Sequence, residues 1–264
     1  MRSLLAYGVA GFRRYAAYRS ATVAGAFTNT VFGVVKASIT LAAIASAGGA
    51  IAGYDARQGA TYAFLCQALI APVAVFGSRE LADRIRTGDI AVDLARPVDL
   101  QLSWLAADLG RAAYELLPRG LPPLLVGIAF FGLTVPHEVQ PFALGAVSVL
   151  LAVAVSFACR YLLNLTAFWV VEMRGLLTLY MVGSNVLTGL VVPVHWFPGW
   201  MSALATATPF PSMLQAPVDV ISGRAGGWDG ATTVATQALW LVVMLGVGRV
   251  VTARATRRLV VQGG

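Results

Sequence analysis

The sequence predicts an all-α, polytopic membrane protein with six transmembrane helices, an N-terminal interfacial helix, a short cytoplasmic helix and re-entrant helices before the sixth span. Three observations predict it. Charged residues make up 12% of the 264 and hydrophobic residues 58%, against about 25% and 45–50% in soluble domains. Mean hydropathy is +0.75. The few charges gather in clusters, and between them run apolar stretches of about 20 residues or more, each long enough to cross roughly 30 Å of hydrocarbon as a helix.

Met1–Ser20 alternates apolar and aromatic residues with Arg2, Arg13, Arg14 and Arg19, the pattern of an amphipathic helix lying on a membrane surface. It lacks a compact apolar region with a small-residue cleavage site, so it is not expected to be a removed signal. The first span is set at 22–47 and contains Asn29 and Lys36. A Gly-containing loop leads to the second at 59–77. The segment 78–103 is polar, and the third span is set at 112–135, its start blurred by Arg111, Glu115 and Arg119. From Pro141 to Val194 the chain is almost continuously apolar, about 80 Å as one helix. It must turn, and the cluster Glu172–Gly175 divides it into spans at 141–171 and 176–194. The stretch 195–229 holds Pro198, Pro209, Pro211 and Pro217 with Trp196, Trp200 and Trp228. Proline at that density breaks a span, while tryptophan favours the headgroup boundary. Short helices dipping into the interface are expected there, followed by a sixth span at 230–251. No linker suggests a second domain.

With the N-terminus inside, cytoplasmic segments hold thirteen arginines: Arg2, Arg13, Arg14, Arg19, Arg79, Arg84, Arg86, Arg96, Arg174, Arg249, Arg254, Arg257 and Arg258. External loops hold Arg57 and Arg224. That asymmetry puts both termini in the cytoplasm and requires an even number of spans.

Several functions are excluded by what the chain lacks. The net charge of +7 comes without a basic stripe interleaved with aromatics, so nucleic acid is not expected as a partner. A phosphate-binding Gly-x-x-x-x-Gly-Lys-Ser/Thr loop is missing, Lys36 being the only lysine. His137 and His195 fall at outer boundaries with no nucleophile or metal-ligand spacing beside them, and read as interfacial polar residues. Cys66 and Cys159 stand alone in apolar runs and read as buried small residues. No metal or cofactor is expected on this chain.

Within 78–103, Arg79–Thr87 has helical character, with Leu81 and Ile85 one turn apart and Glu80, Asp83, Arg84 and Arg86 around the rest. Gly88 stands where a helix ends in a left-handed residue. Ile90–Leu94 reads as extended, and Arg96-Pro97 forces a turn. The mixed charges suit docking to another protein better than to lipid; the alternative is a solvated loop joining two spans. Intramembrane charge is functional by default. Glu115 and Arg160 each lie about 16 Å from the inner ends of their spans at 1.5 Å per residue. They either pair across neighbouring helices or snorkel separately. Lys36 either lines a pathway or meets a neighbouring subunit, and Arg111, Glu115 and Arg119 form a self-satisfied stripe at helical spacing.

The run Arg86-Thr87-Gly88-Asp89-Ile90-Ala91-Val92-Asp93-Leu94-Ala95-Arg96-Pro97-Val98-Asp99 resembles the segment I-R-x-G-x-[IL]-x-x-x-L-x-R-P-[VI]-[DN] of type-2 ATP-binding-cassette permeases. The bacterial branch of about this length, encoded beside a separate ATPase, is the most similar. The likeness continues through Leu109-Gly110-Arg111, Asn164 with Phe168-Trp169, Arg174-Gly175, and Pro193…Phe197-Pro198-x-Trp200…Pro209-Phe210. The Leu-Leu-Arg-Pro frequent in such proteins is here Leu94-Ala95-Arg96-Pro97.

The resemblance implies a permease subunit in a bacterial inner membrane, paired with a second copy or a similar permease. Two copies of a separate ATPase would carry ATP and Mg. It makes the Arg79–Gly88 helix a coupling helix seated in the ATPase, with Leu81 and Ile85 as apolar knobs, Glu80, Arg84 and Arg86 as charged contacts, and Asp93, Arg96, Pro97 and Asp99 shaping the following turn. Export is the direction it implies. An ion- or proton-coupled secondary transporter is the alternative, and would call for inverted repeats that the chain lacks. An intramembrane lipid enzyme would need His, Asp or Glu clustered at one membrane face.

Overall fold

A computed structural model describes residues 2–170 and 172–257. Arg258, counted above among the cytoplasmic arginines, and Val171, the end of the fourth span, lie outside the described residues.

Helix α1, Arg2–Ala16, exposes Leu5, Val9 and Phe12 along one face. Its other face lies directly on α6, Leu100–Phe131. A Cβ at Gly11 would stand 2.1 Å from the Ala107 carbonyl oxygen, and one at Gly110 would stand 1.9 Å from that of Gly8. Glycine is therefore a condition of this crossing, and Phe12 stacks edge-on against Tyr114 beside it.

Helix α2, Arg19–Ser46, buries Asn29, Gly33, Ala37, Thr40 and Ile44, a stripe at three- and four-residue spacing. Val23, Phe27, Val31, Phe32, Val35 and Ile39 stay exposed on the remaining face. The stripe meets α3, Ala56–Val73, which opens with a capping box between Asp55 and Gln58 and buries 14 of its 18 residues. This helix is the central post of the molecule. It touches α2, α6, α7 and α10, and its Tyr62, Leu65, Cys66 and Leu69 belong to the main apolar core.

Two short helices follow, α4 (Glu80–Thr87) and α5 (Ile90–Leu94), joined through Gly88 at φ +84°. Ile90–Leu94 is thus helical and not extended. A helical turn puts Ile90, Asp93 and Leu94 on one side, where Ile90 is fully buried; an extended chain would have turned Ile90 and Asp93 to opposite faces.

Helix α6 begins at Leu100, well before the expected 112, with the Asp99 carboxylate accepting the Leu102 amide at 2.8 Å. The charges that blurred its start are paired along the helix, so the helix continues through them. Helix α7, Gln140–Leu165, is enclosed along its second half and followed by a 3-10 turn at Thr166–Phe168. Helix α8, Arg174–Leu187, has 14 residues, about 21 Å at 1.5 Å per residue, short of the roughly 30 Å of a bilayer core. The span expected at 176–194 therefore stops early. The chain turns at Gly189, φ +82°, whose carbonyl accepts a hydrogen bond from the Tyr62 hydroxyl.

A 3-10 turn at Val194–Trp196, helix α9 (Gly199–Thr206), a second turn at Phe210–Ser212 and helix α10 (Gln215–Ile221) lead to α11, Gly227–Thr256. Gln237 of α11 joins α7 and this segment: its amide oxygen accepts from Ser148 at 2.7 Å, and its nitrogen donates to the Ser212 carbonyl at 2.8 Å. Among the described residues, three helices are long and apolar enough to cross a membrane: α2, α7 with its 3-10 extension, and α11.

Candidate functional site

The charged residues that the sequence singles out converge where α1, α4 and α5 meet the α4-proximal ends of α3, α6 and α7. In α4, Leu81 is 4% exposed and packs with Ile90, Leu100, Phe157, Tyr161 and Leu165, with Ile85 beside it. Leu81 is turned into the chain's own core and is not an outward knob, while Ile85 is half-buried beside it, because α4 needs an apolar face to cover α7. What faces outward is Asp83, Arg86, Thr87, Gly88 and Asp89, followed by Ala91 and Val92, the latter 58% exposed.

The other polar groups of this segment are bound to the chain itself. Glu80 pairs with Arg14 of α1 at 2.5 Å, which holds the Arg14 guanidinium above its ordinary pKa. Arg84 grips Asp93 through Nε at 2.6 Å and a terminal nitrogen at 3.0 Å. That bidentate bond raises the Arg84 pKa and staples α4 to α5. Arg96 donates to the Tyr7 hydroxyl at 3.3 Å and stands 3.7 Å from Asp93. Pro97 is exposed in the turn, and Asp99 caps α6.

Asn164 of α7 connects α4 to the interior. Its Oδ1 accepts the Ala82 amide at 2.9 Å, and its Nδ2 donates to the Ser78 carbonyl at 2.8 Å and the Arg160 carbonyl at 2.7 Å. Ala82 is the third residue of α4, so a side chain from another helix serves one of the amides that α4 leaves open at its start.

One turn before Asn164, Arg160 donates to Asp108 of α6 at 2.7 Å. Asp108 also accepts Arg111 Nε at 2.8 Å; Arg111 reaches Glu115, and Glu115 accepts Arg119 at 2.9 Å. Glu115 and Arg160 therefore do not pair with each other. Asp108 stands about 10 Å below Glu115 at 1.5 Å per residue, level with Arg160, while Glu115 lies four residues from both Arg111 and Arg119. The expected stripe on α6 is self-satisfied, and its extra carboxylate, Asp108, ties it to α7. The signal for Asp108 was present as the spacing three, four and four through Asp108, Arg111, Glu115 and Arg119.

This ladder is deeply placed. Side-chain exposures are 7% for Arg160, 11% for Asp108, 8% for Arg111 and 6% for Glu115. Arg111 also donates to the carbonyls of Ala71 and Pro72, both at 2.9 Å. These belong to the last turn of α3, where carbonyls lack the full set of helical partners; that of Ala71 accepts the Ala74 amide as well. One guanidinium thus holds α3 against α6. A cavity of about 560 Å³ opens beside the ladder, walled by α1, the end of α3, α4, α6 and α7.

Lys36 is not part of this site. Its ammonium is buried without a hydrogen-bond partner among the described residues, 4.7 Å above the Tyr62 ring, between α2 and α3 of its own chain. At the opposite end of the molecule, His195 bonds Asp219 at 2.8 Å, and Asp219 also accepts Gln215 Nε2 at 2.9 Å and the Tyr54 hydroxyl at 3.3 Å. Sequence spacing gave no sign of this cluster.

The family model described as ABC-2 family transporter protein matches residues 33–263. The chain belongs to the ABC-2 transporter family. The match covers α3 to α11, and so includes the α4–α5 segment and the whole ladder. No curated protein and no solved structure matches the chain. As an ABC-2 protein it is a multi-pass membrane subunit of an ATP-binding-cassette transporter. It is not the ATPase, and works with an ATP-binding-cassette component.

Proposed function

We propose that this ABC-2 protein is the permease of an ATP-driven exporter in a bacterial inner membrane. It works as a pair, with a second copy or a similar permease, on two copies of a separate ATPase that hold ATP and Mg. The chain crosses the membrane six times with both termini in the cytoplasm, α1 lies in the inner interface, and the segment between α8 and α11 re-enters from outside. The thirteen-to-two distribution of arginines in the sequence supports this orientation.

The observation that carries the reading is the α4–α5 segment. It is an exposed strip of alternating charge and apolar contact, Asp83, Arg86, Asp89 and Val92, on a base fastened to α1 by Glu80, to α7 by Asn164 and to itself by Arg84–Asp93. A partner that pushed on this strip would move α1 and α7 together. Closure of the ATPase pair would be passed through it as a rocking of the permeases, switching access from inside to outside.

The test is copurification in mild detergent. Arg86→Glu combined with Val92→Asp, both on the exposed strip, should leave membrane insertion intact and remove the ATPase from the purified complex. A cysteine replacing Arg86 should react with a membrane-impermeant thiol reagent only when the cytoplasmic face is open. Undiminished ATPase recovery, or labelling from outside intact cells, would overturn the assignment.

A further inference from the structure

Lys36 brings an ammonium into the interior and meets no acceptor there. It has no hydrogen-bond partner among the described residues, and an unpaired charge in low-dielectric surroundings is destabilising. What it meets is a π face. Its Nζ stands 4.7 Å from the centroid of the Tyr62 ring, within the range at which a desolvated cation is attracted to an aromatic quadrupole. The lysine belongs to α2 and the tyrosine to α3.

Tyr62 is more than a platform. It is 1% exposed, and its hydroxyl donates to the Gly189 carbonyl, with Gln215 Oε1 3.1 Å away. The same Oε1 accepts the Val194 amide at 2.9 Å, and the Gln215 amide donates to the Thr188 carbonyl at 3.1 Å. Three stretches distant in sequence, α3, the turn after α8 and the start of α10, are thus fastened around one hydroxyl. Gly189 leaves no slack at this joint: a Cβ there would stand 2.6 Å from the Tyr62 oxygen and 2.7 Å from Gln215 Oε1.

A cation on the face of a phenol draws electron density from the ring and makes its O–H the stronger donor, and in a low-dielectric interior that polarisation carries along connected bonds. We propose that Lys36 is a positioning residue acting through Tyr62: its charge holds the phenol O–H on Gly189 and so latches residues 188–196 to α3. Since the cation sits on α2 and the hydroxyl on α3, sliding of one helix over the other releases the latch. On the function proposed above, residues 188–196 face outside, and this is the joint that yields when the outer side opens. The latch itself does not depend on that reading.

The test is hydrogen–deuterium exchange of the purified full chain in nanodiscs, without the ATPase, so that the latch and the transport reading fail separately. Tyr62→Phe keeps the ring under the lysine and removes the hydroxyl; exchange in the peptides holding Leu190, Val194 and Gln215 should speed up about tenfold. Lys36→Met should speed the same peptides about threefold without lowering the melting temperature, because an unpaired charge leaves the interior. In the Tyr62→Phe background Lys36→Met should add no further exchange. Lys36→Gln serves the exchange comparisons if Lys36→Met does not fold. The proposal is overturned if neutral replacement of Lys36 leaves these peptides unchanged, or if its effect persists in full without the hydroxyl. It is also overturned if Lys36→Met lowers the melting temperature or speeds exchange throughout α2 and α3, as a general loss of packing would.

Discussion

Replacing Asp108 by asparagine tests the ladder at its branch point. The carboxylate accepts from Arg160 on α7 and Arg111 on α6. Asparagine keeps the shape and one acceptor oxygen but removes the charge. Arg111 still has Glu115 and two carbonyls; Arg160 is left with the Ser156 hydroxyl at 3.3 Å. Breaking a buried pair by removing one partner costs about 3–5 kcal/mol because the remaining charge is stranded. Asp108→Asn should fall near the lower end, about 3 kcal/mol, since one guanidinium of the two keeps its other partners. Against a total stability of about 5–15 kcal/mol, that loss is measurable and survivable.

The assay is equilibrium unfolding of the full chain in mixed micelles, run as two double-mutant cycles. Asp108→Asn with Arg160→Gln should be non-additive by at least about 1 kcal/mol, since the two side chains touch. Glu115→Gln with Arg160→Gln should couple more weakly than the first pair, since these residues meet only through Asp108 and Arg111. Additivity in the first cycle would refute the account of Asp108 as the link between α6 and α7. A large coupling in the second with none in the first would show that Glu115 is the true partner.

Arg111→Lys keeps the charge but exchanges a planar fork for three donors on one nitrogen, too few for the four acceptors Asp108, Glu115, Ala71 and Pro72; a loss of at least about 1.5 kcal/mol is expected, with faster amide exchange at the end of α3. Asn164→Ala should speed exchange in the first turn of α4, at about 1 kcal/mol for the lost cap, and leave α7 itself protected. Gly11→Leu places a side chain where the Ala107 carbonyl sits 2.1 Å from a Cβ; α1 should lift from α6 and become sensitive to protease. Glu172 caps α8 through the Arg174 amide at 3.0 Å, which depresses its pKa. Its support is complete above the ordinary carboxylate pKa and is lost as pH falls through the depressed value, so exchange at the start of α8 should rise on acidification in the wild type and not in Glu172→Gln.

The parts of the fold that were legible in the sequence are those decided by a single length of apolar chain. Helices α2, α7 and α11 follow from long apolar runs in which charges such as Lys36 and Arg160 are too sparse to break the helix. Legibility failed where a distant residue decides. The early start of α6 depends on charges neutralising one another at helical spacing, which a hydropathy reading counts as an interruption. The helical turn at Ile90–Leu94 depends on Leu81, Phe157 and Leu165 receiving Ile90. The early end of α8 depends on Tyr62, far back in the chain, receiving the Gly189 carbonyl. The inward turn of Leu81 has the same origin: an amphipathic short helix announces an apolar face but not which surface claims it.

The ladder and the apolar core make different kinds of contribution. Well-packed apolar side chains in place of a buried ion network are often neutral or stabilising, so the charges at Asp108, Arg111 and Glu115 are not needed to hold α3, α6 and α7 together as such. What they add is direction. Arg111 has four acceptors within reach, two on its own helix and two on the last turn of α3. Pro72 and the left-handed Ala74 end that helix there. A leucine would fit many rotations of α3 against α6, whereas a planar fork on fixed carbonyls fits a narrow range. Removing one member strands a charge and is costly; replacing all of them by apolar residues should restore stability while loosening the register between α3 and α6. A subunit driven from α4 needs that register, because a push received at Ala82 and Asn164 reaches α6 through Arg160 and Asp108 and reaches the end of α3 through Arg111.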